Sequence, residues 1–234
     1  MKKTIFCVMA LCIGFVSALG LCIGALFAPK TVFSENEQPL KIVLDAGHGG
    51  MDGGVVGRHT KVKESDLNLQ IVYRLKDVFV DMGFEVVLTR QTEAGLYGVA
   101  TKGFKRRDME RRKQIIEEEK PAYVISVHQN FYPTSTSRGA QVFYDENNAR
   151  GQAMATAIQA EVNEIYQKEN VKARKVSKGD FYMVKCTTAP AVLIECGFLS
   201  NAEDERLLTT SAWQVKLAQA IGAGVMRFLS VSAT

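Results

Sequence analysis

Ile42-Val43-Leu44-Asp45-Ala46-Gly47-His48 is a short apolar run that ends in groups able to bind a metal or move a proton. Two later stretches repeat the pattern: Tyr123-Val124-Ile125-Ser126-Val127 leads into His128, and Ala191-Val192-Leu193-Ile194 into Glu195. Read as strands of one parallel sheet, they bring their reactive groups to carboxyl ends, where open α/β sheets place their ligand crevices.

Working outward from the first run, a Gly-rich loop follows Asp45. Ser65 and Asp66 then precede Leu67, Ile71, Leu75, Val78, Phe79 and Met82, which recur at helical spacing. Ser65 or Asp66 is expected to cap this helix and Gly83 to end it. The stretch 84–90 reads as a second strand. A charged helix over 107–119 is stopped by Pro121, 140–144 is a short strand, and 149–169 is a long helix. Phe181-Tyr182-Met183-Val184 reads as a further strand, and 212–229 as a closing helix. Alternating strands and helices imply a single α/β domain, with a mainly parallel, mixed and twisted sheet of about six strands flanked by helices on both faces.

Residues 4–28 carry no charge and follow Lys2 and Lys3, the pattern of an export signal. As a helix the segment would run roughly 37 Å, longer than a hydrocarbon core of about 30 Å. An uncleaved transmembrane anchor is therefore favoured over a cleaved signal, although Ala18-Leu19-Gly20 offers small residues for cleavage. Held with its lysines inside, the leader puts the rest of the chain outside the membrane. The expected organisation is a signal or anchor segment over 1–30, a linker over 31–39 and one catalytic domain over 40–231. Much of the formal net charge of +4 belongs to Lys2, Lys3 and Lys30, which precede every acidic residue. The remaining near-neutral domain gives no reason to expect nucleic-acid binding. Cys186 and Cys196 are the two cysteines beyond the leader, and their apolar settings favour free thiols over a bridge.

A metal centre that hydrolyses amides needs three N/O ligands, an open position, and a carboxylate to handle protons. His48 and His128 offer two imidazoles. Glu64, just before the first helix, is one candidate for the third ligand, with Glu35, Glu37 and Asp66 as rivals on composition alone. Glu195 follows four apolar residues, where a carboxylate is costly unless paired or useful. It is expected to take a proton from the attacking water and pass it to the leaving amine. His59 lies in the polar loop and reads as an ordinary surface group. Gly47-His48-Gly49 also begins a dinucleotide-binding pattern, but Asp52 stands where the third glycine would fall and would repel pyrophosphate.

Taken together, Leu44 to Gly50, Glu64 before a helix, Ser126-Val127-His128-Gln129-Asn130 and Glu195-Cys196-Gly197-Phe198-Leu199-Ser200-Asn201 resemble the zinc-dependent N-acetylmuramoyl-L-alanine amidases of the amidase 3 type. The resemblance covers essentially residues 40–230. It implies one Zn2+ held by His48, Glu64 and His128, with Glu195 as the catalytic glutamate. It also implies hydrolysis of the amide between the lactyl group of muramic acid and the first L-alanine of the peptidoglycan stem. Asn130 and Arg112 are the substrate-binding positions it suggests.

The whole-chain plan is similar to the germination-specific amidases of the spore cortex, which strip stems ahead of muramic δ-lactam formation. Phe131 departs from the family, where a small residue often follows His-x-Asn, and Glu117 stands where Asn is usual. The basic run from Arg106 to Lys113 reads as a solvated helix face, with grip on stem carboxylates or a protein partner as its functional alternative.

The expected partners are glycan strands with peptide stems, the membrane through residues 4–28, and an activating protein whose binding orders the ligand loops. The rival readings are a zinc peptidase or deacetylase of the wall, and a catalytically silent wall-binding protein.

Overall fold

The structure is a computed structural model, and it describes residues 38–232. The leader expected to anchor the chain lies outside the described residues. No helix among those described is long and apolar enough to cross a membrane.

The three runs that end in reactive groups form β1 (Lys41–Ala46), β3 (Tyr123–Asn130) and β6 (Ala191–Phe198). Nearly every residue in them is buried, as expected for parallel strands covered on both faces. With β2 (Glu85–Leu88), β4 (Gln141–Tyr144) and β5 (Ser177–Lys178) they make one six-stranded sheet ordered β2-β1-β3-β6-β4-β5. The first four strands in that order are parallel. β4 runs antiparallel to β6, so the sheet is mixed. Parallel pairing sets Asp45 beside Ser126 and His128 beside Glu195. Just beyond, a bulge opposes Asn130 to Phe198, inserting one extra residue in β6 at the edge that carries the site.

Six helices accompany the sheet: α1 (Glu64–Asp81), α2 (Phe104–Glu119), α3 (Ala149–Gln167), α4 (Tyr182–Lys185), α5 (Ala202–Leu208) and α6 (Ser211–Ser232). α1, α3 and α6 bury Leu75, Phe79, Ile158, Val162, Leu217 and Ile221 against one face, where Ile42, Leu44, Ile125 and Ile194 point. The other face has a much smaller apolar layer, in which Val43, Val124 and Leu193 meet Ile116 of α2 and Met183 and Val184 of α4.

Two local expectations are corrected. Phe181 to Val184 does not form a strand: Tyr182–Lys185 is a single helical turn, and the edge strand is Ser177–Lys178. A four-residue apolar run fits either state, and here burial of Met183 and Val184 against the sheet decides it. Nor does Ser65 or Asp66 cap α1, whose N-cap is Lys63 with no side-chain bond. Backbone carbonyls of the Gly-rich loop take that role, Val55 accepting from the Glu64 N–H (2.9 Å) and Gly53 from the Ser65 N–H (3.1 Å). Gly83, at φ 89°, ends the helix as expected. Cys186 and Cys196 are free thiols.

Candidate metal centre and catalytic site

His48 sits in the left-handed region (φ 61°) on the loop after β1, and His128 lies near the end of β3. Gly47 between them has no room for a side chain, because a Cβ there would lie 2.2 Å from the His128 ring. Glu64 opens α1 and is buried. Its Oε1 lies 3.2 Å from His48 Nε2 and 2.9 Å from His128 Nδ1, and it accepts a hydrogen bond from the Gln129 N–H (3.1 Å). Its Oε2 accepts from the Val55 N–H (2.9 Å). Gly54, at φ 67°, leaves the space this carboxylate fills, since a Cβ there would stand 2.4 Å from Oε2. The loop's glycines therefore serve close approach to the site.

An outer contact fixes the His48 imidazole. Asp52 Oδ2 lies 3.0 Å from His48 Nδ1, leaving Nε2 to face Glu64, the arrangement by which carboxylates orient metal-binding histidines. Lys105 pairs with the other Asp52 oxygen at 3.1 Å. Burial opposes a charge on His48, yet the Glu64 and Asp52 carboxylates raise its pKa to about 9. Burial likewise opposes the Glu64 charge, but the two histidines hold its pKa well below the usual carboxylate range.

These groups fit a small divalent cation. Ligand atoms of His48, Glu64 and His128 all lie within 4.8 Å of one another, and two imidazoles with one carboxylate are a three-donor N/O set. His59 is not part of this group. Its N–H instead donates to Glu205, which also accepts from the Thr60 N–H and hydroxyl.

Glu195 stands beside His128 in the sheet register and on the same face. Its Oε2 is buried with no hydrogen-bond partner, and burial pushes its pKa up to about 7 against the pull of both histidines. An unpartnered carboxylate next to a ligand cluster is positioned to exchange protons with whatever binds there. Asn130, two residues past His128, is half-buried, and its carbonyl accepts from the Leu199 N–H (2.8 Å).

Arg112 differs from the expectation of substrate contact. It is 1% exposed, and its guanidinium is committed to Asp108 Oδ2 (2.6 Å), Asp45 Oδ1 (2.5 Å), the Ala46 carbonyl (2.7 Å) and the His48 carbonyl (2.6 Å). Burial would raise the Asp45 pKa, but the Arg112 charge and the Ser126 and Thr89 hydroxyls lower it to about 2. A second buried cation went unnoticed in the sequence. Arg90, at the end of the second expected strand, donates to the carbonyls of Ala46, Gly47, Ser65 and Thr92. The two arginines together hold the turn between β1 and His48. No local pattern announces either role, because most of their acceptors, Asp45 and the carbonyls of Ala46, Gly47, His48 and Ser65, are distant in sequence.

This sheet edge defines a class of α/β proteins that join a His-Glu-His ligand cluster to a separate buried carboxylate. The family model described as N-acetylmuramoyl-L-alanine amidase matches residues 42–227, and the chain belongs to that family. It is 35% identical over 217 residues to the germination-specific N-acetylmuramoyl-L-alanine amidase of Bacillus subtilis, covering 88% of this chain and 90% of that one.

Among solved structures, it superposes on the CwlD amidase of Clostridioides difficile, determined in complex with the GerS lipoprotein. That match has a TM-score of 0.77 and 35% identity, over 82% of this chain and 99% of the other. The catalytic domain of the amidase CwlV from Bacillus (Paenibacillus) polymyxa var. colistinus gives a TM-score of 0.70 at 30% identity, over 82% and 99%.

Proposed function

We propose that this amidase is a zinc enzyme that frees peptide stems from muramic acid in the spore cortex, outside the cytoplasmic membrane. The observation that carries the chemistry is the convergence of His48, Glu64 and His128 beside the unpartnered Glu195. A zinc ion on the three ligands would supply a Lewis acid for the scissile carbonyl and lower the pKa of a water.

The chain's own residues do the remaining work. Asp52 holds His48 in the tautomer that presents Nε2. Glu195 accepts the proton from the attacking water and delivers it to the stem nitrogen as the C–N bond breaks, leaving a lactyl carboxylate and a free L-alanine amine. Burial suits Glu195 to hold that proton between the two transfers. Asn130, two residues past His128 at the end of β3, orients the substrate amide in this reading.

The germination-specific relative supports the cortex role. The GerS-bound neighbour supports a protein partner for this fold, and ordering of the ligand loops is the effect we assign to it. Export through residues 4–28 follows from the uncharged leader and the wall polymer the family cleaves.

Zinc per chain and digestion of purified sacculi, measured for wild type, Glu195→Ala and His128→Ala, test the reading. Glu195→Ala is expected to keep metal and lose roughly 10²–10⁴-fold in rate, while His128→Ala loses both metal and activity. Retained cleavage by Glu195→Ala would sink the mechanism. Recovery of stems with a free L-alanine terminus distinguishes the amidase from a wall peptidase or deacetylase. Metal and activity that appear in the wild type only on co-expression with a lipoprotein partner would establish the activation step.

A further inference from the structure

A cavity of about 270 Å³ opens beside the ligand cluster on the thinly covered face of the sheet, with His48 and His128 in its wall. Its far side is built from Tyr97, Phe104, Met109, Phe181, Tyr182 and Met183. The aromatic rings are braced: Tyr97 and Phe104 pack edge to face at 5.0 Å, and Phe181 packs against Phe143 at the same distance. No uncommitted cation lines this space. Lys105 is paired with Asp52, and Arg112 with Asp45 and Asp108, so an entering carboxylate would meet three acids whose partners are already engaged.

The segments on either side of Glu64 and His128 present different chemistry. Arg58 lies on the loop that ends at Glu64. It is exposed, donates to the Pro133 carbonyl (3.0 Å) and stacks over Phe131 at 5.5 Å. Lys61 and Lys63 follow on the same loop, both exposed. Among the described residues no carboxylate pairs with Arg58, Lys61 or Lys63. Glu205, which packs on that loop from another helix, is taken up by the N–H groups of His59 and Thr60. Neither Arg58 nor Phe131 lines the aromatic cavity.

We propose that these two flanks set the direction of the substrate across the site: the muramyl ring with its N-acetyl group enters the aromatic cavity, and the acidic stem peptide runs toward Arg58. The inference rests on the amidase reading. The two halves of the substrate differ in the property that separates the two flanks. An amidated muramyl group is uncharged, with an apolar ring face that stacks on aromatics. A stem whose second residue is a γ-linked D-glutamate carries a free carboxylate close to the scissile bond, which calls for an arginine. Phe131, beneath the Arg58 guanidinium, fixes that cation in place.

Steady-state kinetics of the full-length, metal-loaded enzyme on two disaccharide tripeptide muropeptides test this, one with the α-carboxylate of its γ-linked D-glutamate free and the other with that carboxyl amidated. Phe104→Ala and, as a more exposed alternative, Tyr182→Ala are expected to raise KM roughly tenfold on both substrates, while leaving inhibition by free L-Ala-D-isoglutamate unchanged. Arg58→Gln should remove a preference of about threefold for the acidic over the amidated stem and leave kcat on the amidated one intact. The reverse pattern, with aromatic variants weakening inhibition by the free peptide and Arg58→Gln leaving stem discrimination in place, would overturn the assignment. A wild type that releases no stem from either muropeptide, even when co-expressed with the lipoprotein partner, would refute the amidase reading itself. An active wild type with all three variants unchanged refutes only the proposed direction.

Discussion

One face of the sheet is covered by α1, α3 and α6 over a continuous apolar layer. The other carries the short α4, one side of α2 and a row of polar groups from Asp45 to Glu195. Both faces use the same strands, with successive residues of β3 alternating between them: Ile125 and Val127 to the thick side, Ser126 and His128 to the thin side. The thick face gains its stability mainly from apolar burial. On the thin face, apolar packing is replaced near the carboxyl ends by a buried ionic layer, Asp108, Arg112 and Asp45, that supports the ligand loop. Charges so placed add little net stability to a fold, but once present each depends on its partner.

The largest expected effect is on the thin face. Arg112→Met strands Asp45 without a counter-charge at 0% exposure, and a loss of about 3–5 kcal/mol should appear in urea unfolding, together with loss of bound metal as the His48 carbonyl is released. On the thick face, Ile158→Ala should cost about 3 kcal/mol through the cavity it leaves, with KM and metal content unchanged at temperatures where the variant is folded. A metal loss in Ile158→Ala equal to that in Arg112→Met would break the distinction between the faces. The smallest effect is in acid. Asp45 has a folded pKa of about 2 against an unfolded value near 3.9, so its contribution of about 2–3 kcal/mol is complete above pH 4 and is lost as pH falls toward 2. Asp45→Asn should remove that portion of the acid dependence, read as urea midpoints at pH 2 to 5.

The thick face was largely legible in the sequence. Its helices follow from apolar residues at helical spacing, and its strands from short runs too apolar to face water. The reactive strand ends were legible for the same reason, because a polar group that closes an apolar run stands out. Glu64 needed the family resemblance, since nothing local separates it from Asp66. The thin face was read less well, and for a physical reason: its stability comes from contacts between groups far apart in sequence. Arg112 reaches Asp45 and the His48 carbonyl, and Arg90 reaches Ser65, with no periodicity to mark either. Phe181 to Val184 reads as a strand but enters the helical turn Tyr182–Lys185, because the sheet it packs on, rather than its own propensity, sets its conformation.

The pairing of His128 with Glu195 also bears on how the chain avoids folding wrongly. A slip of one residue between β3 and β6 would turn the polar group of the shifted strand, the His128 imidazole or the Glu195 carboxylate, into the apolar side, where it finds neither a partner nor water. These two polar groups therefore penalise the misaligned sheet, and a molecule that has completed its core has, by the same step, set His128 beside Glu195.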